Sequence, residues 1–267
     1  MSWVGGLPEA INKFLPTRNI HEVRSIHKYI HELYRTDASQ YDQERKLMIK
    51  RIYDMIPSQL ENKKKRIVYQ DIEEKKGKRF TNYQDEFEYL IESGITLDVK
   101  AVSLPKYPLA ESSSKNLMKL YLNDVGLLTY LLYNININAI LLDQRSVNLG
   151  SVYESVVAQE LRAHGFKLYY YDNKKKGEVD YLINDTNTVQ VLPIEVKSGK
   201  DYTEHSALTK FLEEKEYNIH QAIVFSNEPK VYEENGIWYM PIYYIMFLQQ
   251  TPSGDVILPP LEMPSEA

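Results

Sequence analysis

The sequence predicts an α+β protein. A helical first third leads into a small helix-and-strand unit, and the second half alternates helices and strands around a mixed sheet. Three patterns carry this prediction. Apolar residues recur at helical spacing between residues 42 and 91, alternate strictly from Ile95, and from Val147 helical and extended segments take turns. The 267 residues suffice for two modest domains, and an apolar fraction of 43% suffices for a core.

The elements follow in order. Pro8 opens a short helix and Ile20 to Tyr34 reads as another, so residues 1–40 form a helical segment. His27 and His31 stand at i, i+4 there, a spacing zinc uses, but no third ligand is near in sequence and a surface helix is the simpler reading. Asp42 to Ile56 places Met48, Ile52, Met55 and Ile56 on one face, and Pro57 helps to end that helix. A basic segment holds Lys63, Lys64, Lys65, Arg66, Lys75, Lys76, Lys78 and Arg79 around a short strand, Ile67 to Tyr69.

Thr81 with Gln84 three residues on makes a capping box for a helix whose stripe is Tyr83, Phe87, Leu90 and Ile91, stopped by Gly94. In the strand that follows, Ile95, Leu97, Val99 and Ala101 face one way, and Thr96, Asp98 and Lys100 the other. Helix, capped helix and strand make the skeleton of a winged helix over residues 41–125. Lys119 to Leu132 reads as one more apolar helix.

Residues 145–250 are read as the α/β domain. Gly150–His164 is a helix, while Lys167–Tyr171, Glu178–Asn184 and Val189–Lys197 are strands, with Pro193 marking a bulge or a free N–H side. Thr203–Lys215 is a helix, Ala222–Phe225 and Ile237–Tyr239 are strands, and Ile242–Leu248 is a closing helix. Residues 251–267 are rich in proline and acidic residues and read as a loose tail.

Composition narrows the function. A net charge of −5 excludes a DNA-binding polycation, so a nucleic-acid role must rest on local patches. The basic residues Lys63, Lys64, Lys65, Arg66, Lys78 and Arg79 are the candidate phosphate contacts, diluted by acidic neighbours. Tyr169-Tyr170-Tyr171 offers faces for base stacking or simply fills a strand. Cysteine is absent, which excludes disulfides and thiolate chemistry and fits a reducing compartment. The first eight residues show no secretory pattern, and no run approaches the roughly 18 apolar residues of a membrane span. A cytoplasmic location without membrane partners is therefore expected.

The chemistry concentrates in four residues. Asp180 lies in one strand, while Glu195 and Lys197 share a face of the next, read as its antiparallel neighbour. Two carboxylates would meet an ammonium there. Like charges at close range repel unless a cation sits between them, and hard oxygen ligands select Mg²⁺, Mn²⁺ or Ca²⁺. Glu154, with Val157, Ala158 and Leu161 at i+3, i+4 and i+7, edges an apolar helix face and needs a partner: a metal, its water or Lys197.

The order Glu154, Val179-Asp180, Glu195-Val196-Lys197 on helix, strand and strand resembles the PD-(D/E)XK nuclease-like superfamily, with Val179 where the superfamily's pair has proline. Gly5-Gly6-Leu7-Pro8-Glu9-Ala10, Lys119-Leu120-Tyr121-Leu122-Asn123-Asp124-Val125-Gly126-Leu127, Gly177-Glu178-Val179-Asp180-Tyr181-Leu182-Ile183 and Pro193-Ile194-Glu195-Val196-Lys197 look like the region after the ATPase module in a prokaryotic family of AAA-type ATPases. The resemblance runs to about Phe247. It implies a helical ATPase tail, a winged helix and a restriction-endonuclease-like domain. It also implies a Mg²⁺ or Mn²⁺ ion on Asp180, Glu195 and the Val196 carbonyl, with Lys197 positioning water and Glu154 holding a metal water or a second ion. Neither Gly77-Lys78-Arg79 nor Gly199-Lys200-Asp201 completes a phosphate-binding ATPase loop, so ATP hydrolysis by that route is not expected. The reading is a metal-dependent DNA nuclease or nuclease-like DNA-binding module. The alternative is an inactive nuclease-fold scaffold that binds a protein partner. Oligomeric state stays open.

Overall fold

The computed structural model describes residues 3–37, 43–133, 149–199 and 201–250. Three helices come first: α1 (Pro8–Thr17), α2 (Ile20–Asp37) and α3 (Gln43–Glu61). Pro8 starts α1 because the first turn needs no N–H donor. His27 is fully buried rather than on a surface helix; its Nε2 lies 2.9 Å from the Val4 carbonyl. α3 runs through Pro57 instead of ending there. Tyr53, Ile56 and Leu60 are all buried, and their burial outweighs the hydrogen bond that proline removes.

Around Ile67 the expected strand reduces to one bridge, Arg66 to Lys119, with the Ile67 N–H on the Met118 carbonyl at 2.9 Å. A 3₁₀ turn (Phe80–Asn82) precedes α4 (Gln84–Glu92). The cap therefore differs from the Thr81–Gln84 expectation: the Asn82 side chain accepts the Arg79 N–H at 2.9 Å. The predicted stripe holds, with Tyr83, Phe87 and Leu90 buried, and Gly94 leaves the helix at φ +71°.

Strands β1 (Thr96–Val102) and β2 (Ser113–Leu122) pair antiparallel, as a wing would, and α5 (Val125–Tyr133) follows. Lys119–Leu122 is thus strand, not helix. The break falls at Asp124, whose Oδ1 accepts the Leu127 N–H at 3.0 Å and caps α5. β1 does not stand apart as a wing strand: it pairs in parallel with β3 (Leu168–Asn173), Val99 opposite Leu168. Its two faces are both covered, so Thr96 and Asp98 are buried against the alternation. Arg162 Nη2 shields Asp98 at 2.6 Å.

After α6 (Gly150–Ala163) and β3 come β4 (Gly177–Asp185), β5 (Gln190–Val196), α7 (Ser206–Leu212), β6 (Ala222–Ser226), β7 (Tyr232–Glu234) and β8 (Ile237–Pro241). The closing segment Ile242–Phe247 is 3₁₀ rather than α. Among the described residues one eight-stranded sheet runs in the order β2-β1-β3-β4-β5-β6-β8-β7. The pairs β1/β3, β5/β6 and β6/β8 are parallel and the rest antiparallel, a mixed sheet in an α+β fold. α3 to α6 pack on one face over the larger core, and α7 covers a second core on the other. Tyr169, Tyr170 and Tyr171 are buried in these cores and so are closed to base stacking.

A candidate carboxylate and lysine site

The site is built around an irregularity in β4. Tyr169 pairs with Leu182 and Tyr171 with Val179, so Asp180 and Tyr181 together oppose the single residue Tyr170. Two residues against one is a β-bulge, which re-aims side chains. Val179 and Leu182 consequently sit in the same core under α7, although three positions apart. Between them Tyr181 turns to the α6 face, where its hydroxyl donates to the Glu154 carbonyl at 2.9 Å. The bulge lies here and not at Pro193, which keeps register opposite Leu182 at the point where β6 pairing begins.

β5 runs antiparallel to β4, and its Val196 N–H donates to Asp180 Oδ2 at 2.9 Å. Lys197 Nζ meets Glu195 Oε1 at 2.8 Å. Glu195 is only 6% exposed, and its Oε2 is buried without a hydrogen-bond partner. From α6, buried Glu154 takes an ion pair from Lys65 and a hydrogen bond of 3.0 Å from the Tyr121 hydroxyl. From β2, fully buried Lys119 pairs with Glu178 and stands over the Tyr170 ring, 4.7 Å from its centroid. The four residues expected to form the site therefore do converge. With them come Glu178, Lys65, Lys119, Tyr121 and Tyr181.

Electrostatics make this a strained charge cluster. Burial raises the Asp180 carboxyl well above the usual range; Glu195 and Glu154 push it further, against the pull of Lys119 and Lys65. Burial also raises Glu195, opposed by Lys197. Burial lowers the affinity of Lys197 and Lys119 for their protons, yet the surrounding carboxylates more than reverse this and both end up raised. Among the described residues the carboxyl groups of Glu154, Glu178, Asp180 and Glu195 face Lys65, Lys119 and Lys197, four carboxyl groups to three ammoniums. Glu154, Glu178 and Glu195 each have a lysine. Among the described residues Asp180 is met by the Val196 N–H and by no lysine, so its raised carboxyl is the one that keeps its proton most readily, and Glu195 Oε2 is left without a partner.

That pair suits a hard divalent cation. Mg²⁺ keeps most of its waters and needs one or two carboxylates, and an orphaned buried carboxylate oxygen beside a second carboxylate meets that need. Among the described residues no three acidic or histidine side chains are placed to hold a metal by themselves. An ion here would rest on Asp180 and Glu195 with water, and Glu154 is engaged by Lys65 and Tyr121. His27 and His31 make no such site: burial pushes His27 down to about 4, and His31 Nδ1 lies 3.1 Å from the Tyr53 hydroxyl.

The candidate phosphate contacts separate into two groups. Lys63 and Lys64 are exposed, Lys65 points inward to Glu154, and Arg66 lies 3.9 Å from Asp172. Lys78 is bound to Glu73 at 2.5 Å, in a pocket also lined by Arg45, Asn82 and Tyr83, while Arg79 is exposed.

Sequence reasoning missed Lys119 because a helix reading of Lys119–Leu132 puts its ammonium in water. Read as strand, Lys119 shares a face with Tyr121, and a lysine inside a short apolar strand is the signal that was there to find.

Fold and site together define a mixed α+β protein with a buried carboxylate–lysine cluster at a bulge in an interior strand. The chain belongs to the family described as domain of unknown function DUF8612, which matches residues 1–138, and residues 149–245 match a second domain of unknown function, DUF4143. The site draws on both matched regions: Lys65, Lys119 and Tyr121 from the first, and Glu154, Glu178, Asp180, Glu195 and Lys197 from the second. No curated protein and no solved structure matches the chain. Among the described residues no helix is long and apolar enough to cross a membrane.

Proposed function

We propose that this cluster hydrolyses phosphodiester bonds of DNA with a divalent cation, as the nuclease-like part of an AAA-type ATPase system. The observation that supports this best is the buried Asp180 carboxyl, raised and without a lysine among the described residues, beside the unpartnered Glu195 Oε2, an arrangement that a purely structural salt-bridge network has no reason to keep. Asp180 and Glu195 would hold Mg²⁺ or Mn²⁺, helped by the Val196 carbonyl. When bound, such an ion supplies charge neutralisation for the phosphate and a more acidic water. Lys197 donates from Nζ to orient the attacking water, steadied by Glu195. Exposed Lys63 and Lys64 attract the phosphate backbone near Lys65.

A second reading has its own support. Glu154 is already saturated by Lys65 and Tyr121, as expected of a nuclease fold kept as a scaffold for a protein partner. The test is nicking of supercoiled plasmid and of single-stranded DNA with Mn²⁺, comparing the native chain with Asp180→Ala and Lys197→Ala, each checked by melting. Cleavage lost in both folded variants supports the nuclease. No cleavage by the native chain with any of several metals favours the scaffold.

A further inference from the structure

The segment that leaves α3, residues 62–67, lies across the site as a strap and ends against β2. Its start is pinned where the Ser151 hydroxyl bonds Glu61, beside the Asn62 N–H on the Gln59 carbonyl at 3.1 Å. Its end is pinned by the Arg66–Lys119 bridge and the Ile67 N–H on Met118. Ser151 and Glu154 are one turn apart on α6, so the strap follows that turn. Between the pins Lys63 and Lys64 face water, and Lys65 alone reaches in to Glu154.

We infer that Lys65 is a positioning residue that serves as the site's internal counter-ion, holding Glu154 until an anionic phosphodiester segment on the strap takes its ammonium and frees Glu154 for the cation side. This rests on the reading of Asp180 and Glu195 as a cation site. Three observations carry it. Lys65 is the most exposed of the partners of Glu154, its side chain 19% accessible, whereas Tyr121 is fully buried. Its neighbours Lys63 and Lys64 are exposed and form no ion pair among the described residues, so a polyanion has somewhere to dock beside it. With Lys65 in place, the buried Glu195 Oε2 still has no hydrogen-bond partner, so the cluster keeps an acceptor that a cation could fill. Substrate phosphate and Glu154 thus compete for one ammonium, and cation and phosphodiester bind with positive coupling. Such coupling is reciprocal: each must raise the affinity of the other by the same factor.

The test is calorimetric titration of Mn²⁺ into the native chain, Lys65→Met, Glu154→Gln and the double variant. It is repeated on the native chain and Lys65→Met with a saturating phosphorothioate oligonucleotide that resists cleavage. Removing one unit charge a few ångströms from a divalent ion changes affinity by on the order of tenfold at high effective dielectric. Lys65→Met should therefore bind Mn²⁺ about tenfold tighter than the native chain. The double variant should lose that gain, and the oligonucleotide should tighten Mn²⁺ binding in the native chain but not in Lys65→Met. Should Lys65→Met melt early, Lys65→Gln is the second variant, and saturating Mn²⁺ should restore its melting temperature. Native binding with no gain in either variant overturns the inference and leaves the cation site standing. No Mn²⁺ uptake by any of these chains overturns both.

Discussion

Lys119→Met tests the charge accounting most severely. The ammonium is fully buried against Glu178, with Glu154 and Asp180 close enough to raise it. Methionine keeps the length and removes the charge, so four carboxylates would face two ammoniums. Removing one partner of a buried pair costs about 3–5 kcal/mol, a large share of a native stability of about 5–15 kcal/mol. Urea unfolding near neutral pH should show that loss with an unchanged slope. The pH dependence has a fixed sign. Asp180 holds its proton more tightly when folded, so its contribution is complete below the unfolded pKa and is lost as pH rises toward the raised folded value. Lys119 opposes that rise, and without it the loss steepens. The deficit of the variant should be largest at about pH 8 and shrink as pH falls toward about 5. Glu178→Gln added to Lys119→Met should recover much of the stability. A loss below about 1 kcal/mol, or a deficit that grows on acidification, would refute the reasoning.

Two further outcomes follow from other parts of the chain. Gly5 sits at φ +76° with Asp124 Oδ1 only 2.2 Å from where a Cβ would stand, so Gly5→Ala should cost about 1–3 kcal/mol, seen as a lowered melting temperature. Lys63→Ala with Lys64→Ala should weaken DNA binding and reduce the salt slope of log Kd by about two, while Mn²⁺ affinity stays within about twofold of native.

Sequence patterns carried far in places where one physical cause dominated. The stripe Tyr83, Phe87 and Leu90 and the stop at Gly94 were legible, because helical period and a left-handed glycine are local signals. So was the meeting of Asp180, Glu195 and Lys197, which needs only strand parity and an antiparallel neighbour. Pairing between distant strands was not legible. Nothing local says that β1 joins β3 in parallel, and that pairing buries Asp98 and places β1 inside the large sheet. The bulge at Asp180–Tyr181 was equally hidden, since it shows only in the register against Tyr170. Lys65 was read as a phosphate contact on a wing because its partner, Glu154, lies 89 positions away in sequence. The hub that joins Gly6 to Asp124, N–H to Oδ2 at 2.6 Å, links two of the motifs quoted for the family resemblance, and only the fold says why both are needed.

The central claim is that Asp180 and Glu195 form a cation site, and divalent-ion-dependent melting addresses it most directly. At about one hundred times Kd, a ligand that binds only the folded chain adds about 2.7 kcal/mol. For a chain of this size that is a rise of roughly 5–10 °C in melting temperature with Mg²⁺ or Mn²⁺. The rise should be present in the native chain and absent in Asp180→Ala. A native melting temperature that no divalent cation moves, or a rise that survives Asp180→Ala, would contradict the claim.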